Sequence, residues 1–220
     1  MDQQDATIHQ TLRAPRAAAI AGIFFAVLLI ASYILIWISI PANPNASHVI
    51  SHSTTVSLSL NLLPFAGIAF LWFIAVVRNR LGSLEDRFFA TVFLGSGLLY
   101  IAMVFTSAAL AGGLIQVLIN APEVITQMGT YALGRAQVYQ TMNVYAIKMA
   151  GVFMFSTSTI LLRTRIVARW IAVLGYGLGV ILLLSIGFIR WAPLVFPIWI
   201  FLISVAILLD NPSHVPETSQ

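Results

Sequence analysis

Six stretches of this chain run apolar for about the thickness of a bilayer, at about 17–40, 56–77, 88–111, 141–162, 169–189 and 192–209. A hydrocarbon core takes roughly 20 apolar residues to cross as a helix, and only a helix or a closed barrel bonds all its backbone groups internally at that depth. The pattern predicts an all-α polytopic membrane protein with six transmembrane helices. Charged residues make up 8% of the chain, against roughly a quarter in a soluble domain. No Pro/Gly/Ser-rich linker or charge block divides residues 1–220, so they read as one membrane-embedded bundle with short termini. The first run follows Arg13 and Arg16 as a signal peptide would. It continues for about two dozen residues to Pro41 with no small-x-small cleavage site, and reads as a retained helix.

Placing the N-terminus inside puts Arg13, Arg16, Arg78, Arg80, Arg87, Arg163, Arg165 and Arg169 on the cytoplasmic side and only Arg135 and Arg190 outside. That asymmetry, carried on short loops, predicts both termini in the cytoplasm. The net charge of +4 resides in these clusters beside apolar runs rather than along one stripe, which argues against nucleic acid as a partner. Trp37 and Trp191 fall near the outer interface and Trp170 near the inner one, while Trp72 and Trp199 sit deeper and are expected to pack inside the bundle. Gly112 and Gly113 are expected to end the third helix. Asn120, Pro122 and Glu123 then suggest a capped surface helix presenting Val124, Ile125, Met128, Tyr131 and Ala132 on one face. Ser83 and Asp86 similarly mark the start of the third span.

The only lysine, Lys148, lies inside the fourth apolar run, about 10 Å below its outer start at 1.5 Å per residue. A charge at a helix centre costs about 2.5–3.5 kcal/mol on insertion scales, which makes such a residue a site candidate. No Asp or Glu lies in any span to pair with it. Its available partners are carbonyls at a helix break, hydroxyls and amides, Glu123, water, or an anionic ligand. Pro64 is one candidate break, because it removes an N–H and frees the Leu60 carbonyl, with Asn61 one turn before it. Ser96, Tyr100 and Ser107 share a face of the third helix, and Tyr145 stands one turn before Lys148. Lys148, Tyr145, Asn61, Tyr100 and Ser96 together form the expected ligand-binding set of an outward-opening polar pocket. The competing expectation is a lysine that snorkels or holds a structural hydrogen bond.

Gly175 and Gly179 are spaced for close helix packing. The run Ser156, Thr157, Ser158 and Thr159 is expected to bond backbone carbonyls rather than line a path. His48 and His52 stand four apart but lack a third ligand, so no metal or other cofactor is expected. Absence of cysteine removes thiolate chemistry, and absence of His, Asp and Glu from every span removes buried haem ligation, paired-Asp proteolysis and carboxylate-bridged metals. No catalytic residue is expected, and an enzyme is the least favoured reading.

The segments Arg16-Ala-Ala-Ala-Ile-Ala-Gly22, Asn61-Leu-Leu-Pro-Phe-Ala-Gly67 and Leu84-Glu-Asp-Arg-Phe-Phe-Ala90 resemble those of actinobacterial-type multi-pass integral membrane proteins. The resemblance covers most of the chain and implies a bacterial plasma membrane, but no activity. The expected function is transport or binding of a small anionic solute or lipid at the Lys148 pocket. The alternative is an accessory or sensory subunit that associates with a membrane partner. Membrane lipids are expected partners in both, and a homo-oligomer is compatible with either.

Overall fold

Apolar runs of this length leave the backbone little choice but helix, and in the computed structural model every regular element among the described residues is helical. The structure describes residues 2–39, 53–81, 87–120, 130–164, 167–185 and 191–209. His48, His52, Ser83, Asp86, the segment Pro122–Met128, Arg165 and Arg190 lie outside them. In chain order the elements are α1 (Asp2–Ser39), α2 (Ser53–Leu81), α3 (Arg87–Asn120), α4 (Thr130–Gln140), a π-helical segment (Thr141–Ala146), α5 (Ile147–Thr164), α6 (Arg169–Leu184) and α7 (Ala192–Leu209). The protein is an integral membrane protein. Five helical stretches are long and apolar enough to cross a bilayer: Ala17–Ile36, Thr54–Arg78, Phe88–Val117, Tyr131–Arg163 and Ala192–Leu209. The sixth, α6, is apolar but only 16 residues long, or about 24 Å against a core of about 30 Å.

Several boundaries correct the sequence reading. Gly112 and Gly113 do not end the third helix, which continues to Asn120; glycine is common in membrane helices, and Leu114, Ile115 and Val117 keep the run apolar. Residues from Thr130 onward do not form a separate surface helix. They continue through the π segment into α5 as one stretch of 33 residues from Tyr131 to Arg163. Pro64 does not break α2, which runs unbroken from Ser53 to Leu81; neighbouring helices hold a proline-containing membrane helix together. Trp72 does not pack inside but is 69% exposed, facing outward where a lipid would lie. Trp199 does pack, fully buried, with Nε1 donating to the Ile171 carbonyl at 3.3 Å.

The core is an aromatic cluster drawn from five elements. Phe25 of α1, Phe70 and Phe73 of α2, Phe93 and Tyr100 of α3, Phe153 of α5 and Phe196 of α7 are all buried. Their rings meet at centroid distances such as 4.4 Å for Phe25–Phe70, 4.7 Å for Phe93–Phe153 and 4.6 Å for Tyr100–Phe196. In a lipid solvent burial gives little hydrophobic gain, so tight van der Waals contact of large rings supplies the cohesion. α5 and α6 use small residues instead. A Cβ on Gly151 would sit 2.9 Å from the Gly179 carbonyl oxygen, and one on Gly179 would sit 3.0 Å from that of Gly151. Gly175 makes room for Ser158 Oγ and the Trp199 ring, whereas Gly177 faces open space. At the C-terminal end of α5, the Arg163 guanidinium lies 5.0 Å over the Phe89 ring, a cation–π contact.

Candidate functional site

Lys148 lies 13 residues after Arg135 and 15 before Arg163 in one continuous helical stretch, and its depth can be read from the arginines at the far end. It lies about 22 Å along the helix from Arg163, while Leu183 of α6 lies about 21 Å from Arg169. The two residues are therefore level, and Lys148 Nζ donates to the Leu183 carbonyl at 3.0 Å. α6 stops one residue later, where its last carbonyls have no helical partners. Ser185 N–H donates to the Ile181 carbonyl at 2.9 Å, Ser185 Oγ to that of Leu182 at 3.1 Å, and Lys148 to that of Leu183. Lys148 thus caps a helix C-terminus inside the membrane, where a positive charge also meets the negative end of the helix dipole.

The expected five-residue set does not assemble around it. Asn61 is exposed, and its amide donates to the Ser57 carbonyl at 2.9 Å. Ser96 is buried and returns its hydroxyl to its own helix, to Val92 at 2.6 Å and Phe93 at 3.2 Å. Tyr100 stands in the aromatic core, and Tyr145 is 59% exposed on the outside of the bundle. Three of the four hydroxyls in the run bond backbone: Ser156 reaches Val152 and Phe153, Thr157 reaches Phe153, and Thr159 reaches Phe155 and the Tyr176 hydroxyl; Ser158 departs from the expectation, its buried Oγ making no hydrogen bond where it packs against Gly175.

An open site lies nearer the end of the bundle opposite Arg163, in a cavity of about 240 Å³. One helical face of the α4–π stretch lines it: Tyr131, Arg135, Val138, Tyr139, Met142 and Asn143, at successive spacings of four, three, one, three and one. That is the pattern of a single α-helical stripe. α3 contributes Val104, Ser107, Ala108, Ala111, Leu114 and Ile115, with Val56, Leu60 and Leu63 from α2, Tyr33 and Ile36 from α1, and Pro193 from α7. Ala108 and Ala111 line it with short side chains that leave the gap between α3 and α4 unfilled. A cavity of about 150 Å³ already admits benzene, so this one has room for a chain of apolar atoms.

The π segment shapes the cavity wall. A π turn shifts the backbone ladder by one residue, leaving carbonyls at the shift under-used, and such turns are frequent at functional sites. Three successive carbonyls before it receive side-chain donors: Gln137 from Thr141 Oγ1 at 2.8 Å, Val138 from Ser107 Oγ at 3.2 Å, and Tyr139 from Asn143 Nδ2 at 3.2 Å. Thr and Asn compete for backbone carbonyls in this way, which is why the irregular turn forms here. Arg135, seven residues above Met142, brings a permanent positive charge to the cavity. Measured along the helix it lies about 42 Å from Arg163, beyond a core of about 30 Å and hence at headgroup depth on the opposite face.

Arg135 and Tyr139 are the functional candidates that sequence reasoning passed over, because polar residues between 130 and 143 made the segment look like a loop. The repeat Tyr131, Arg135, Tyr139, Asn143 at four-residue spacing was the available signal. The chain matches no family model, and no curated protein or solved structure is found similar to it. Its site is therefore read from its own geometry. Among the described residues no group of three or more His, Asp or Glu is placed to hold a metal.

Proposed function

We propose that this protein binds a single-chain amphiphile with an anionic head, a carboxylate or a phosphate, from the outer leaflet of a bacterial plasma membrane. The observation that carries the reading is the coupling of a mostly apolar cavity to an arginine at its outer end. A small hydrated anion would gain little from Val, Leu, Ile and Ala walls, whereas an amphiphile satisfies both parts of the lining at once. Guanidinium bonds carboxylate or phosphate bidentately. In this reading Lys148 is a structural cap, and outward binding is consistent with the positive-inside orientation. The accessory-subunit alternative loses its sequence motive, because Gly175 and Gly179 are used between α5 and α6 of the same chain.

The test is titration of nanodisc-reconstituted protein with dodecanoate, dodecyl phosphate and the neutral dodecanol. Both anions are expected to bind, with affinity about tenfold lower for Arg135→Gln, a loss of about 1.4 kcal/mol; dodecanol is expected to bind weakly to both forms. Preference for one anion identifies the head. Equal binding of all three probes by wild type and Arg135→Gln would refute the reading.

A further inference from the structure

Below the cavity, the bundle holds a second void that shares Tyr33, Met142 and Pro193 with it. Its remaining lining includes Tyr100, Ala146 and Phe196, and it is too small to hold a water. Tyr100 is only 2% exposed, and its hydroxyl makes no hydrogen bond of good geometry. The neighbouring phenol, Tyr33, directs its own hydrogen to Met142 Sδ at 3.6 Å. Sulfur is a weak acceptor, so two buried phenols face this void with their donor capacity poorly used. Buried polar groups left in that state are unusual and call for a cause.

The barrier between the two spaces is suited to moving. Met142 is unbranched, with three rotatable bonds, and such side chains adapt to their surroundings more readily than Leu or Ile. It also sits in the π segment, where the backbone ladder is already displaced. Swinging Met142 aside would release the Tyr33 hydrogen and join the void to the cavity. The path from Arg135 to the level of Ala146 covers eleven residues, or about 16 Å.

We infer that the amphiphile site continues past Met142 to the Tyr33–Tyr100 pair, and that the ligand carries a neutral oxygen acceptor at the far end of its chain. Its class is an amphiphile with an anionic head and an ω-hydroxyl or ω-carbonyl group about 16 Å away. At the inner end, the oxygen accepts the hydrogens of both phenols and takes the place of the methionine sulfur. This rests on the cavity reading for the head, but the inner contact is a separate claim about Tyr100.

The experiment compares dodecanoate with ω-hydroxydodecanoate on wild type, Tyr100→Phe and Arg135→Gln in nanodiscs. Added hydroxyl lowers partition of a chain into an apolar space, so unspecific binding would weaken. Wild type is expected instead to bind the ω-hydroxy probe more tightly than dodecanoate, by about tenfold if the contact contributes as an ordinary buried hydrogen bond. Tyr100→Phe is expected to bind dodecanoate as wild type does but to lose that preference. Because the substitution removes an unsatisfied hydroxyl, it should also raise the melting temperature of the ligand-free protein, which shows that the variant folds. If the hydroxyl weakens binding equally in wild type and Tyr100→Phe, the inner contact is overturned while head binding at Arg135 stands. If Arg135→Gln leaves dodecanoate affinity unchanged, the head reading fails by itself. Absence of binding by both probes overturns both.

Discussion

Below Lys148, α5 meets α6 so closely that the Gly151 and Gly179 backbones touch. Above it, the same continuous helix stands far enough from α3 to leave about 240 Å³ empty. The difference lies in how small residues are placed. Gly151, Gly175 and Gly179 face a neighbouring backbone or a side chain that fills the space they leave. Ala108 and Ala111 face a wall whose polar side chains are committed elsewhere, Ser107 to Val138 and Asn143 to Tyr139. Small residues thus close one half of the bundle and open the other.

The comparison breaks most sharply at the seam. Gly151→Val places a branched side chain against the Gly179 carbonyl and is expected to cost about 3 kcal/mol, seen as a lowered midpoint of thermal unfolding in detergent. Gly177→Val, directed into open space, should stay within about 0.5 kcal/mol of wild type; equal losses at the two positions would end the seam argument. On the open side, Ala111→Leu is expected to fill cavity space without strain, lowering dodecanoate affinity about tenfold while the unfolding midpoint holds.

Lys148 stands at the boundary between the halves and separates their roles. Lys148→Met removes one cap from α6, so amide exchange over Ile181–Ser185 should speed up about tenfold, the cost of one charged hydrogen bond. Dodecanoate binding should be unaffected. A variant that loses binding while α6 exchange stays slow would return the anion site to the lysine. The smallest effect is expected from Thr159→Val, which deletes the 2.6 Å contact with Tyr176 and should cost about 0.6 kcal/mol, the average for polar contacts between membrane helices.

Sequence pattern carried the architecture further than it carried the site. Apolar runs located the helices because lipid forces every backbone group to bond within its own segment. The spacing of Gly175 and Gly179 likewise pointed to packing, and the hydroxyls of Ser156, Thr157 and Thr159 to backbone bonding, which Ser158 does not share. Rotation was not legible: Trp72 and Trp199 lie in runs apolar on all sides, so nothing in the residue types says which ring faces lipid. The partner of Lys148 was equally hidden, because a backbone carbonyl 35 positions away leaves no residue-type signature. At the outer end, Arg135, Gln137, Gln140 and Asn143 dilute the hydropathy of a helix that nevertheless continues. Averaged apolarity stopped the fourth span at residue 141 and so excluded Arg135, although its stripe of Tyr131, Tyr139 and Asn143 had helical spacing.

The π segment between Thr141 and Ala146 has the geometry left by a single extra residue in an otherwise regular helix. Removing one residue there would let the ladder return to its ordinary step, and because the wide turn already absorbs that residue locally, Tyr131, Arg135 and Tyr139 would keep their facing relative to α5. Removing one residue from the regular helix above it, between Arg135 and Gln140, would instead turn Tyr131 and Arg135 by about 100° and take them out of the cavity while α5 kept its packing against α6. The π segment is thus a phase-keeping joint: the ligand face and the packed stem hold one register across an irregular turn.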